Sequence, residues 1–395
     1  MTDEIHITCR VCNEGVHSIQ LHLKEAHPDV SLQDYKETYP GEPTLSDFAK
    51  ARIAAKSEPH VPAPAVLKTA MAPSASVSIL PPAAASSKQP LHELFGFGEA
   101  KGARSSKGGN IPITVLNGTN FDDMVPEPDE GHVYDVELVK SILLGLELSI
   151  PVYLWGHAGV GKTSLYEDIC AKTNRPMMRV QHTINTEEVH IVGQILANAS
   201  GTYYEPGPLA LAMRHGWVYN ADEYDFAHPS VLAVYQAILE GKPLIIKEAP
   251  AEWRRVKPHP DFRFVASGNS NGSGDEFGLY PGVELGNSAN YSRFGITAKV
   301  DYMPKEQEVA VLCNKAGIVA KDANKIVEFA RSIRKAFEAQ KMSSTIGPRE
   351  LIYAARVGML MGSWRKGISL AYINRLNETD REVADGMAQR IFSKS

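Results

Sequence analysis

The alternation of apolar and polar positions divides the chain into zones of different period. Between about Pro112 and Tyr302, short apolar runs (VYLW, MMRV, WVYNADE, LIIKE and FRFVASG) alternate with stretches whose apolar residues recur every three or four positions. Runs of this kind suit strands covered on both faces, so the zone 111–303 predicts an α/β domain with a mostly parallel sheet and helices on its faces. After Pro304 the period is helical throughout, in KEQEVAVLCNKAG, ANKIVEFARSIRKAFEAQ and PRELIYAARVGMLMG. A separate α-helical lid subdomain is therefore expected over 304–395. No internal repeat is visible.

The pattern is lost upstream. From about Ala54 to Gly109 the chain turns to Ala, Pro, Ser and Gly, a composition that buries too little apolar surface to offset its ordering entropy. The expectation is a flexible linker over 41–110, interrupted by one apolar island, LHELFGF, able to dock on something. Residues 1–40 are polar and hold Cys9, Cys12 and four histidines, a small unit of their own.

Composition narrows the class. The 395 residues, 43% of them hydrophobic, suffice for two or three folded units, and the net charge of -5 is not that of a protein held on nucleic acid by its overall field. No apolar segment is long enough to cross a bilayer, and MTDEIHITCR has no signal-peptide pattern, so a soluble, cytoplasmic protein without membrane contact is expected. Four cysteines, Cys9, Cys12, Cys170 and Cys313, are too few and too scattered for a disulfide framework.

One stretch carries specific chemistry. GHAGVGKT, Gly156 to Thr163, meets G-x-x-x-x-G-K-[ST] between a strand-like run and a helix-like run, the context a phosphate-binding loop requires. Within Gly156, His157, Ala158, Gly159, Val160, Gly161, Lys162, Thr163 and Ser164, the glycines let the backbone curl so that N–H groups point at phosphate oxygens. Lys162 would neutralise the β and γ oxygens, and the Thr163 hydroxyl would ligate Mg²⁺. The strand WVYNADEYD ends in Asp222 and Glu223. Acids after a buried run are costly unless they meet a cation or polarise a water, which suits Asp222 to the Mg²⁺ shell and Glu223 to the attacking water. Asn269, just past FRFVASG, can orient that water, and Arg293 and Arg349 follow in NYSRFGI and TIGPRELIYAAR.

In this order the series resembles the AAA+ ATPases of the MoxR branch, and more closely their CobS-like relatives. The likeness spans roughly Leu91 to Ala355, through VHIVGQ, YYEPGPLALAMRHGWVYNADEYD, HPSVLAVYQAILE, KPHPDFRFVASGNSNGSGDEFGLYPG and NYSRFGI. It implies that Lys162 and Thr163 are the Walker A pair, Asp222 and Glu223 the Walker B acids, Asn269 sensor 1, Arg293 an arginine finger and Arg349 sensor 2. It also implies an ATP-driven homo-oligomeric ring, commonly of six subunits, that remodels a client protein, often beside a partner with a von Willebrand factor A domain. For CobS-type subunits the task is cobalt insertion into a corrin ring, the alternative function here.

The segment CRVCNEGVHSIQLHLKEAH lies outside that picture. Cys9-x2-Cys12-x9-His22-x4-His27 offers two thiolates and two imidazoles near one helix face, a tetrahedral Zn²⁺ set in which nearby His17 is an alternative ligand. The continuation PDVSLQDYKETYP resembles the Ros/MucR zinc-finger regulators, which bind DNA. Yet residues 1–40 hold seven acids (Asp3, Glu4, Glu14, Glu25, Asp29, Asp34, Glu37) against three bases (Arg10, Lys24, Lys36). A phosphate-binding surface needs the opposite balance, so a protein-recruiting finger is expected.

Overall fold

The computed structural model describes residues 7–47, 50, 80–118, 121–199, 201–274, 279–280, 283 and 286–392. Two compact units emerge, Met1–Ala75 and Ser76–Ser395.

In the first unit a two-strand hairpin, β1 (Ile7–Thr8) and β2 (Gly15–Val16), precedes two helices, α1 (Ile19–Ala26) and α2 (Leu32–Thr38). Ser31 opens α2 with a capping box to Asp34. The core is small: Cys9, Ile19, Leu23 and Tyr35. The ordered unit runs past residue 40, because Ile19 N–H donates to the Thr44 carbonyl and Ser46 N–H to that of His17.

The second unit is built on a five-stranded parallel sheet. Its strands in chain order are β5 (Val152–Trp155), β6 (Met177–Gln181), β9 (Val218–Asp222), β10 (Arg263–Gly268) and β11 (Ile296–Lys299); an antiparallel pair, β3 (Ser86–Pro90) and β4 (Pro112–Leu116), precedes them, and a hairpin, β7 (Gly193–Asn198) and β8 (Gly201–Pro206), stands between β6 and β9 in the chain. The spatial order is β11-β5-β10-β9-β6. Val152, Tyr153 and Leu154 are wholly buried, as expected of a central strand with both faces covered. Helices α3 (Val136–Leu148), α4 (Lys162–Lys172) and α5 (Pro208–His215) lie beside this sheet. The run LIIKE does not join it. Leu244–Ile245 instead pairs antiparallel with Arg255–Val256, and the fifth strand is the less apolar ITAK, whose alternating half-buried pattern marks a sheet edge.

Beyond the sheet come α6 (Lys305–Ala316), α7 (Ala320–Glu338), α8 (Pro348–Leu360), α9 (Trp364–Ala371) and α10 (Glu378–Phe392), packed on a core of their own around Ile326, Phe329, Ile333 and Tyr372. None of the described helices is long and apolar enough to cross a membrane.

The expected linker needs correction in its second half. Residues 51–79 lie outside the described residues, but 80–110 are folded: β3 pairs with β4 in register Ser86↔Leu116, and the island LHELFGF buries Leu91 and Phe95 against Val139, Ile142 and Ile169. A few well-placed apolar residues anchor a stretch whose average composition reads as disordered. Truncating Leu91 should therefore cost about 2–5 kcal/mol, the usual range for a buried leucine. Chemical denaturation of Leu91→Ala measures it, and a loss under about 0.5 kcal/mol, the size of a surface substitution, would show that the segment is not packed.

Candidate nucleotide site

The carboxyl ends of parallel strands are where α/β sheets place ligands, because the loops leaving there are free to converge. Here β5 runs into Gly156–Gly161, β9 ends at Asp222, and β10 leads to Asn269. Gly159 and Gly161 sit at φ 79° and 100°, a left-handed backbone that curls the loop into the start of α4. Gly156 serves differently, since a Cβ there would lie 2.2 Å from the Val300 carbonyl oxygen.

Lys162 is the centre of the cluster. The residue is only 7% exposed, and its ammonium donates to the carbonyls of Gly156 (2.7 Å) and His157 (3.1 Å) and to Asn269 Oδ1 (3.2 Å). Burial lowers its pKa, while Glu223, Asp225 and Asp222 pull the other way. Asn269 Nδ2 donates to Glu223 Oε2 at 2.7 Å, so the strand-end acid, the amide and the lysine form one chain of contacts. Thr163 Oγ1 donates to Asp222 Oδ1 at 3.0 Å, and Ser267 and Arg179 also donate to that carboxylate. Burial pushes Asp222 upward, but Ser267, Arg179 and Thr163 outweigh it and hold the carboxylate below its ordinary range. Glu223 ends on the other side: burial dominates and raises it. Adjacent acids thus have opposite tendencies, set by their partners.

A cleft of about 410 Å³ opens over this cluster, lined by Ala158 through Ser164, Asp222 and Glu223 on the sheet side and by Arg349, Ile352 and Tyr353 of α8 opposite. Lys315 of α6 pairs with Asp129, and Arg356 donates to the Lys315 carbonyl at 2.8 Å, so core and helical domain are tied at the rim. Four of the sequence-predicted residues are outside that lining: Gly156 and Asn269, which touch it through Lys162 and Glu223, and His157 and Arg293, which face elsewhere. The His157 ring stacks on Tyr302 at an interplanar angle of 12° and lines a second cavity of about 770 Å³. Arg293 pairs with Glu240 at 2.8 Å and is not part of the cleft lining.

Sequence reasoning missed Arg179, His132 and Lys315. Arg179 sits mid-strand in MMRV, where nothing in the pattern separates a cleft-facing arginine from a solvated one, and His132 and Lys315 reach the cleft only through the fold.

In the first unit the donor atoms of Cys9, Cys12, His22 and His27 lie within 4.8 Å of one another. Cys12 Sγ is 3.1 Å from His22 Nε2, and the buried His27 Nε2 has no hydrogen-bond partner. An orphaned buried imidazole nitrogen in a residue clustered with two thiols and a second imidazole fits a metal ligand set. His17 is engaged elsewhere, with Nδ1 2.9 Å from Ser46 Oγ.

The family models agree with this architecture. Residues 151–281 match the family described as AAA domain (dynein-related subfamily), and residues 308–391 the one described as CbbQ/NirQ/NorQ C-terminal. The aerobic cobaltochelatase subunit CobS of a Sinorhizobium species is 29% identical over 282 residues, 69% of this chain and 84% of that one. The gas vesicle ATPase GvpN of Ancylobacter aquaticus is 26% identical over 300 residues, 70% of this chain and 79% of its own. Among solved structures, the Thermotoga maritima RuvB Holliday junction branch migration motor aligns at 14% identity with a TM-score of 0.40, over 69% of this chain and 72% of that one.

The burial of Glu223 has a measurable consequence. A carboxyl whose folded-state pKa is raised gives stability below its unfolded value and loses it as pH rises through the folded value. At about pH 7.5, well above the ordinary glutamate range, native Glu223 is therefore a net cost. Glu223→Gln should raise the thermal unfolding midpoint there, with the gain shrinking toward about pH 4.5. A midpoint unchanged or lowered at the higher pH would contradict the burial argument.

Proposed function

Starting from a chain that is an AAA+ protein of the P-loop fold, related to CobS, NirQ, NorQ and CbbQ, we propose that it hydrolyses ATP in a ring of identical subunits and remodels or assembles a partner protein recruited in part by its Cys/His unit. The observation that supports a ring is that Arg293 pairs with Glu240 and neither lines the cleft of its own chain, where Lys162, Asp222 and Glu223 converge, nor bonds to those residues as Asn269 does. A guanidinium outside its own site has its natural use in a neighbour's, where it meets charge that develops on the phosphates in the transition state.

The geometry supports the other roles in this reading. Lys162 and the loop N–H groups hold the phosphates. Thr163 and Asp222, hard oxygen donors in contact, are the residues that would hold Mg²⁺, which when bound supplies charge neutralisation. Glu223 accepts the proton of the attacking water, and its raised pKa brings it nearer the operating pH for that transfer. Asn269, hydrogen-bonded to Glu223, orients the same water. Arg349, in the first turn of α8, brings the helical domain to the phosphates.

Cys9, Cys12, His22 and His27 would hold Zn²⁺, which when bound supplies folding energy to a unit whose buried core, among the described residues, is Cys9, Ile19, Leu23 and Tyr35. The acidic excess of residues 1–40 favours a protein partner over nucleic acid. A second reading, a CobS-type motor subunit driving metal insertion into a corrin ring, is supported by the likeness to CobS.

Mixing variants tests the ring. Arg293→Ala should bind ATP about as well as the unmodified protein yet hydrolyse it at least about tenfold more slowly, and Glu223→Gln should bind ATP without turnover. Combined, the two variants form some interfaces with an intact Glu223 from one chain and an intact Arg293 from the next, so ATPase activity should partly return. Mixed rings confirmed by native mass spectrometry that stay inactive would refute the trans arrangement.

For the Cys/His unit, elemental analysis of purified protein should give one zinc per chain. Replacing Cys9 and Cys12 by serine should abolish that zinc while ATPase activity largely survives, because the two units are separate. Metal-free protein with the cysteines intact and reduced would reject the assignment.

A further inference from the structure

Asp225 lies two residues beyond the acid pair, in the short 3₁₀ turn Tyr224–Phe226, and no motif role accounts for it. Its side chain is 4% exposed and outside the lining of the nucleotide cleft. A carboxylate in such a place is costly unless strong hydrogen bonds compensate, so its partners indicate its use. Oδ2 accepts the main-chain N–H of Asn269 at 2.8 Å and that of Ser270 at 2.7 Å. Both donors belong to the segment leaving β10, which carries the Asn269 side chain. That side chain in turn meets Glu223 Oε2 at 2.7 Å and Lys162 Nζ at 3.2 Å.

On the β5 side the sheet holds β10 as far as Gly268, but on the side that bears Glu223 it does not reach this segment. β9 and β10 are paired up to Ala221↔Ala266, and beyond that register their ladder stops. The two bonds to Asp225 carry the tie on across the gap. The left-handed conformation of Glu223, at φ 52°, turns the chain sharply between β9 and the 3₁₀ turn that carries Asp225. The segment is clamped on its other side as well, because Tyr153 Oη donates to the Ser270 carbonyl at 2.5 Å. Gly268 completes the fit: a Cβ there would stand 2.2 Å from Tyr153 Oη and 2.8 Å from Asp225 Oδ1. With both N–H groups and the carbonyl held, a shift of the Asp225 carboxylate moves Asn269 with it.

We propose that Asp225 is a positioning residue for ATP hydrolysis: by anchoring the main chain of Asn269 and Ser270 to the strand end that bears Glu223, it sets where the Asn269 amide stands relative to Glu223 and so where the attacking water is held. The inference rests on the catalytic reading of Glu223 and Asn269. Asp225 itself contacts neither phosphate nor water in this scheme and acts only through Asn269.

That restriction makes it separable from a structural role by a double-mutant cycle. The full-length proteins carrying Asp225→Ala, Asp225→Asn, Asn269→Ala, and Asp225→Ala with Asn269→Ala are compared by steady-state ATPase kinetics, by binding of a fluorescent ATP analogue, and by thermal unfolding. Asp225→Ala should lower kcat by about tenfold to a hundredfold with analogue affinity changed by less than about threefold. Asp225→Asn, whose amide oxygen can accept from the same N–H groups, should recover part of the loss. In the Asn269→Ala background, Asp225→Ala should change kcat by no more than about twofold. If Asp225→Ala does not fold, the same cycle is run with Asp225→Asn, whose residual loss should vanish when Asn269 is alanine. A slow Asn269→Ala beside a fully active Asp225→Ala overturns the inference alone, as do losses that multiply in the double variant. A fully active Asn269→Ala overturns the catalytic reading of Asn269, and the inference falls with it.

Discussion

A positive charge held out of water at the first turn of α4 organises this molecule. Lys162 is desolvated enough to lower its pKa, and it is kept charged by two loop carbonyls, by Asn269 and by three acids at nearby strand ends. Each compensating group has to be delivered from a different part of the chain. The carbonyls come from the loop after β5, the acids from the end of β9, and the amide from beyond β10, three adjacent strands of one sheet. Parallel pairing brings those three ends to the same side, and the glycine conformations at 159 and 161 let the loop fold back over the ammonium.

Asp222 is satisfied by Thr163, Ser267 and Arg179, and Glu223 by Asn269, so the neighbouring acids differ in proton affinity although their sequence environment is shared. Tyr302 extends the network into the helical domain: the His157 ring stacks on it, and the Arg334 guanidinium lies 3.7 Å from its ring centroid. Arg334 is also buried against Glu308 and donates to the Ile346 carbonyl, three residues before Arg349. Phosphate loop and α8 are thereby linked through a stack of flat groups.

Much of this was legible in the sequence, for physical reasons that differ by region. The phosphate loop and the strand-end acids follow local rules of conformation and burial, so GHAGVGKT and WVYNADE announce their neighbourhood. The long helices after Pro304 carry their period over many turns. By contrast, LIIKE and ITAK are short, and apolar content alone ranks them in the wrong order as sheet strands, because an edge strand buries only one face. Residues 80–110 were misread for a related reason: composition averages over a window, whereas Leu91 and Phe95 act singly. Asp225 stood in plain view as the last acid of DEYD, but its worth depends on main-chain N–H groups some 45 positions away in the chain.

The rim of the nucleotide cleft is closed by a contact of another kind. Asp129 and Lys315 meet where both side chains keep about a quarter to a third of their exposure, and Lys315 also presents its carbonyl to Arg356. Partly solvated ion pairs weaken as dissolved ions accumulate, while the desolvated contacts around Lys162 are shielded from them. Ionic strength therefore acts on the two ends of the cleft unequally: it loosens the clasp between core and helices and leaves the phosphate cradle intact.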